Sequence, residues 1–256
     1  MDDTGVYPDG MPHPSGRERR RILLELIVLA LLTSLYLAFN VKRPLVQDIG
    51  MALVGMGLVG LAARKTSEQL WGPPSSPDFE RMRRCAISMT LLTLPPLILF
   101  LIYGACHAGI GAWQNEPQSA EWTARLWASA KAIGWRLFRW EFFVTLLLYI
   151  PWALVQQALF QFFLLVRWRA LLPYASPLFL SIINGMLYGG VHLPEWPVAV
   201  VTMIGGVVWS YSYFRDRYVL PLAISHAMLG ATFYYWVYNE DLFGNLMASL
   251  TKALGQ

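Results

Sequence analysis

Residues 154–168, LVQQALFQFFLLVRW, place Gln156, Gln157 and Gln161 in an otherwise apolar run. A carboxamide in an apolar setting costs free energy unless a hydrogen-bond partner satisfies it. Gln157 and Gln161 stand four residues apart, so on a helix they share a face. The stretch therefore reads as a buried helix that carries a polar stripe for a purpose.

The surrounding sequence says what it is buried in. The chain has 256 residues, of which 56% are hydrophobic and 14% charged. A soluble domain carries about 25% charged residues. The apolar residues come in blocks near the roughly 20 that cross a bilayer as a helix. The fold class is therefore all-α, a polytopic transmembrane helical bundle of about seven spans. These run roughly Arg21–Phe39, Asp48–Ala63, Ile87–Cys106, Phe142–Val166, Leu178–Leu193, Val198–Phe214 and Val219–Val237. Gly55, Gly57 and Gly60 would let a neighbour approach the second span closely, and Pro95-Pro96 should kink or break the third. A polar, Gly- and Pro-rich tail, residues 1–20, reads as disordered. Residues 21–135 hold the first spans and an interfacial loop, 136–238 the core, and 239–256 a tail able to form a short amphipathic helix.

The net charge is +4, but the basic residues cluster beside apolar segments. That is a topology signal and not a stripe for phosphates, so no nucleic-acid partner is expected. Arg17, Arg19, Arg20, Arg21, then Arg64, Lys65, Arg81, Arg83, Arg84, then Arg167, Arg169, then Arg215, Arg217 alternate onto one side. The Lys/Arg excess marks the cytoplasmic side, which puts the N-terminus inside, with a bacterial inner (plasma) membrane as the expected location. Against this trend, the loop 107–141 carries Arg125, Lys131, Arg136 and Arg139. Its Trp and basic spacing fits an amphipathic helix along the interface. Cys85 and Cys106 offer neither a disulfide framework nor a metal spacing; both read as small buried apolar residues.

Strongly polar residues inside spans are candidates for function. Here they are Glu25, Gln156, Gln157, Gln161, Asn184, His192 and His226. Glu25 lies beside the arginines and reads as structural, and Asn184 as a helix–helix hydrogen-bonding residue. Tyr188 and His192 share a face at i and i+4. Imidazole titrates near working pH and can take a proton from water. With the glutamines, the two histidines could line one polar cavity between three helices.

Three short motifs, QQALFQ at 156–161, YGGVH at 188–192 and HAMLG at 226–230, stand in order on successive helices. In order, spacing and flanking sequence they resemble the CPBP family of intramembrane proteases, also called the Abi or CAAX-protease family, which includes the type II CAAX prenyl endopeptidases. The family pattern is E-E-x-x-x-R, then F-x-x-x-H, then H-x-x-x-N. The resemblance implies that Gln156, Gln157, Gln161, His192 and His226 occupy catalytic positions. No cofactor is expected, and two histidines on separate helices without a carboxylate or thiolate nearby make a poor metal site. The resemblance also implies membrane lipid as surroundings and a transmembrane or lipidated protein as substrate or partner.

This chain departs from the pattern where the chemistry sits. Gln156 and Gln157 stand where the family has glutamates, Gln161 where it has arginine, Gly230 where it has asparagine, and Tyr188 where it has phenylalanine. In the family, a glutamate and a histidine activate water. A carboxamide has no accessible basic pKa. A positioned general base contributes about 10²–10⁴ in rate and a side-chain oxyanion donor about 10²–10³. Losing acids and arginine together also avoids a buried guanidinium without its partners.

Three readings follow: a silent homologue that binds without cutting; an active endopeptidase whose histidines use another carboxylate, Glu195 or Glu141; and a transporter or structural subunit. Against the last, the sequence has no inverted repeat.

Overall fold

The computed structural model describes residues 15–39, 57, 79–137 and 139–253. Among them every regular element is helical: α1 (Gly16–Phe39), α2 (Phe79–Asn115), α3 (Trp122–Leu137), α4 (Trp140–Gln157), α5 (Val166–Leu171), α6 (Pro177–Gly190), α7 (Trp196–Asp216), α8 (Val219–Thr232) and α9 (Leu242–Ala253). Two π-helical segments, Ala158–Leu165 and Phe233–Val237, continue α4 and α8. The expected second span, 48–63, lies outside the described residues but for Gly57.

Three stretches are long and apolar enough to cross a membrane: Phe79–Asn115, Trp122–Leu171 and Trp196–Asp216. The protein is thus a helical membrane bundle. Elements α6 and α8 have 14 residues each. At 1.5 Å per residue, each alone falls short of a hydrocarbon layer about 30 Å thick.

Helix α1 starts at Gly16, ahead of the expected Arg21, because Ser15 and Glu18 form a capping box. The Ser15 N–H donates to Glu18 Oε2 at 2.7 Å, and the Glu18 N–H donates to Ser15 Oγ at 3.3 Å. These bonds satisfy donors that a helix start leaves open. Helix α2 runs unbroken through Pro95 and Pro96; of the kink or break expected there, the break does not occur. Membrane helices tolerate proline where neighbours and local adjustment serve the freed backbone groups. Helix α3 has no buried residue. It exposes Trp122, Trp127 and Trp135, as an interfacial helix does.

The chain forms two compact units. One comprises residues 1–86 and 154–222, the other 87–153 and 223–256.

In the first unit, α6 begins at a capped start: Ser176 Oγ accepts from the Phe179 N–H at 3.2 Å, with Pro177 at the first helical position. Glycines then bring α6 and α7 into backbone contact. A Cβ on Gly185 would stand 2.8 Å from the Met203 carbonyl oxygen, and one on Gly206 would stand 3.0 Å from the Gly185 Cα. This is small-residue packing of the kind membrane helices use. Glu25 of α1 joins α5: its Oε2 lies 2.7 Å from Arg167 Nη2, and its Oε1 holds Arg21 at 2.9 Å.

In the second unit, α2 meets α8 through Thr93 Oγ1 and Ser225 Oγ, 2.6 Å apart. Phe100 and Phe233 pack edge to face. Gly104 lies against Trp236. Cys106, two residues on, is about 200° further round the helix and is exposed, unlike buried Cys85. Ala153, Ala223 and Ala227 form a tight core under Tyr149 and Ile150. Arg136 donates to the Tyr235 carbonyl and lies over the Tyr235 and Trp236 rings.

Candidate functional site

The opening stretch spans the end of α4 and the π-helical segment. Wide π turns commonly occur at functional sites. Gln157 and Gln161 are both 0% exposed. Gln161 Oε1 accepts from Asn184 Nδ2 at 3.2 Å and from Ser210 Oγ at 2.9 Å. Asn184 Nδ2 also lies 2.9 Å from Ser210 Oγ and 3.1 Å from the Phe160 carbonyl oxygen. Asn184 is therefore the helix–helix hydrogen-bonding residue the sequence suggested, tying α6 to the π segment and α7. Gln157 differs. Among the described residues neither its Nε2 nor its Oε1 has a hydrogen-bond partner, and Gln161 Nε2 and Asn184 Oδ1 are also unmatched.

Gln156 is only half buried. Its Oε1 accepts from the Tyr188 hydroxyl at 3.2 Å. The Tyr188 ring, fully buried, packs on Phe160 at 4.2 Å between centroids and on Trp209 at 5.5 Å. It stacks on His192 at 6.2 Å, with the ring planes 13° apart. The Tyr188–His192 pairing expected from spacing is therefore present, although His192 lies just beyond α6, in a turn closed by its own N–H to the Gly189 carbonyl.

The His192 ring is oriented by the backbone. Its Nδ1 lies 2.9 Å from the Tyr188 carbonyl oxygen, with Thr202 Oγ1 at 3.4 Å. A carbonyl can only accept, so Nδ1 carries the proton and Nε2 keeps a lone pair. Thr202 was not a sequence candidate, nor was Ser210. Small hydroxyl residues on an apolar helix carry no pattern of their own.

His226 belongs to the second unit and is 2% exposed. Tyr149 of α4 meets its ring edge to face, 5.8 Å between centroids and 85° between planes. The same tyrosine fills the space at Gly230. A Cβ there would stand 2.7 Å from Tyr149 Cε1 and 2.9 Å from its hydroxyl oxygen. The space beside Gly230 is thus filled by a neighbouring aromatic, which no motif spacing could reveal.

Of the two carboxylates proposed as replacement bases, one is held in an ion pair and the other is exposed. Glu141 pairs with Arg139 at 3.3 Å, and Arg139 also holds Asp241 at 3.3 Å. Glu195 is exposed, and among the described residues its carboxylate has no partner. The side-chain groups bonded to Gln156, Gln161 and Asn184 are all uncharged amides and hydroxyls.

Residues 138–232, which contain all three motifs, match the family model described as Rce1-like, type II CAAX prenyl endopeptidase. No curated protein and no solved structure matches the chain. In this segment the protein is of the CPBP, CAAX-protease type, as the motifs suggested.

Proposed function

We propose that this protein is a catalytically silent member of the CAAX-protease type, one that holds a transmembrane or lipidated protein partner without cutting it. Its arginine-rich N-terminal end would lie on the cytoplasmic side of a bacterial inner membrane, in keeping with the alternation of basic residues.

The observation that carries this reading is Gln157. A fully buried amide whose two polar atoms have no hydrogen-bond partner among the described residues costs about 1–3 kcal/mol against an apolar residue of the same shape. Keeping it fits a role in binding a group that offers both a donor and an acceptor. A peptide unit does so. Catalysis is disfavoured because an amide at 156 or 157 cannot take a proton from water, and because the Glu141 carboxylate is engaged in an ion pair with Arg139. A neutral pocket keeps its shape without the cost of burying charge.

Anisotropy of a fluorescent farnesylated peptide, added to the full-length protein in vesicles, tests the reading. Saturable, reversible binding that Gln157→Met weakens is the expected result. No binding above protein-free vesicles would remove the partner half of the proposal.

A further inference from the structure

We infer that the outer face of α1 is a site for an anionic phospholipid, with its phosphate held by Arg17 and Arg20 and an acyl chain laid along Leu24, Val28 and Leu31. Such a site does not depend on the held partner proposed above.

The two faces of α1 differ. One is docked. Ile22 and Leu26 are buried, Arg19 Nη2 donates to the Leu171 carbonyl of α5 at 3.1 Å, and Glu25 binds Arg167 of the same helix. These contacts fix how α1 is turned. The opposite face is uncovered. At about 100° per residue, Arg17, Arg20, Leu24, Val28 and Leu31 fall within about 80° of one another, across the helix from Ile22 and Leu26. Arg17 and Arg20 are exposed, and Leu24, Val28 and Leu31 are each more than half exposed.

The charge on this face is uncommitted. Arg19 is engaged with the Leu171 carbonyl and Arg21 with Glu25, and Glu18 is taken up in the cap with Ser15. Among the described residues the guanidinium groups of Arg17 and Arg20 have no partner. At i and i+3 their Cβ atoms are about 5–6 Å apart, so both planar forks can converge on one phosphate.

Length selects the occupant. From Arg20 to Leu31 the helix rises about 16 Å, at about 1.5 Å per residue. One leaflet of a hydrocarbon layer about 30 Å thick measures about 15 Å. A cationic end followed by an apolar run of that length matches one lipid, from headgroup to chain end. A free phosphate would leave the apolar run unused. A second copy of the chain, related by a two-fold axis along the membrane normal, would set arginines against arginines.

Native mass spectrometry of the full-length protein in detergent, titrated with phosphatidylglycerol or phosphatidylcholine, tests this. Wild type is compared with Arg17→Gln/Arg20→Gln and with Arg83→Gln/Arg84→Gln, which removes the same charge from exposed positions of α2. The expected result is that wild type retains phosphatidylglycerol in preference to phosphatidylcholine. The first variant should bind it about 10–30-fold more weakly, as for two arginines at a membrane surface, with the Tm of the lipid-free protein unchanged, and the second should bind like wild type. Equal affinity for the two lipids overturns the inference, as does an equal loss in the two variants. Displacement of the lipid by inorganic phosphate would reveal a free-anion site, and a dimer that takes up no lipid would reveal a protein interface; either result also overturns it.

Discussion

The His192 Nδ1 lies 2.9 Å from the carbonyl oxygen of Tyr188, one turn earlier in the chain. That bond fixes the ring and its tautomer before any partner arrives. The ¹⁵N NMR spectrum of ring-labelled His192 should therefore show a protonated Nδ1 and a pyridine-type Nε2 at neutral pH. The opposite tautomer would mean that the ring turns away from the backbone carbonyl.

The ion pair of Arg167 with Glu25 carries a second prediction. Arg167 is 2% exposed and the Glu25 side chain 27%. Removing the acid leaves a buried guanidinium without its counter-charge, whereas replacing both partners by apolar residues removes the problem. Glu25→Ala should destabilise the protein by about 2–4 kcal/mol, and the double change Glu25→Ala with Arg167→Met by clearly less. Thermal unfolding in detergent reads both.

Neighbouring glycines on α6 should respond differently. A Cβ on Gly189 would stand 2.5 Å from the Ala199 carbonyl oxygen and 2.7 Å from the Met203 Cβ, whereas one on Gly190 meets nothing within 4 Å. Gly189→Ala should force α6 and α7 apart and cost about 1–3 kcal/mol. Gly190→Ala should be close to neutral in the same assay. Equal effects would contradict the close approach of these helices.

Gln157→Met tests whether the unmatched amide is kept for function. Methionine has similar volume and no polar atoms. The variant should unfold at a higher temperature than wild type, since it removes about 1–3 kcal/mol of unmet hydrogen bonding. A lower Tm would mean that the amide is satisfied in the membrane and contributes to the fold.

Much of this architecture was legible in the sequence, for identifiable reasons. Long apolar blocks report a bilayer whatever the details of packing, and the order of the three motifs pointed to the family type that the segment 138–232 matches. Asn184 was legible as a bonding residue because an amide on an apolar helix needs a partner. The partner itself, Ser210, was not, because a serine is common on any helix and its role depends on Gly185 and Gly206 bringing two backbones together. Tyr149 was hidden for a related reason. It fills the space that a side chain at 230 would take, and an absence of side chain does not name the residue that fills the space. Cys106 departed from expectation because burial around a helix depends on packing that a single sequence does not encode locally.

The most direct test is the fate of a peptide. Purified wild-type protein in vesicles, incubated with a farnesylated peptide of the CAAX type and followed by mass spectrometry, should return the peptide intact at every time point. The silent-homologue account predicts no product above that of His226→Ala. Cleavage by the wild type that His226→Ala abolishes would contradict it and establish a working protease built without the family's two glutamates.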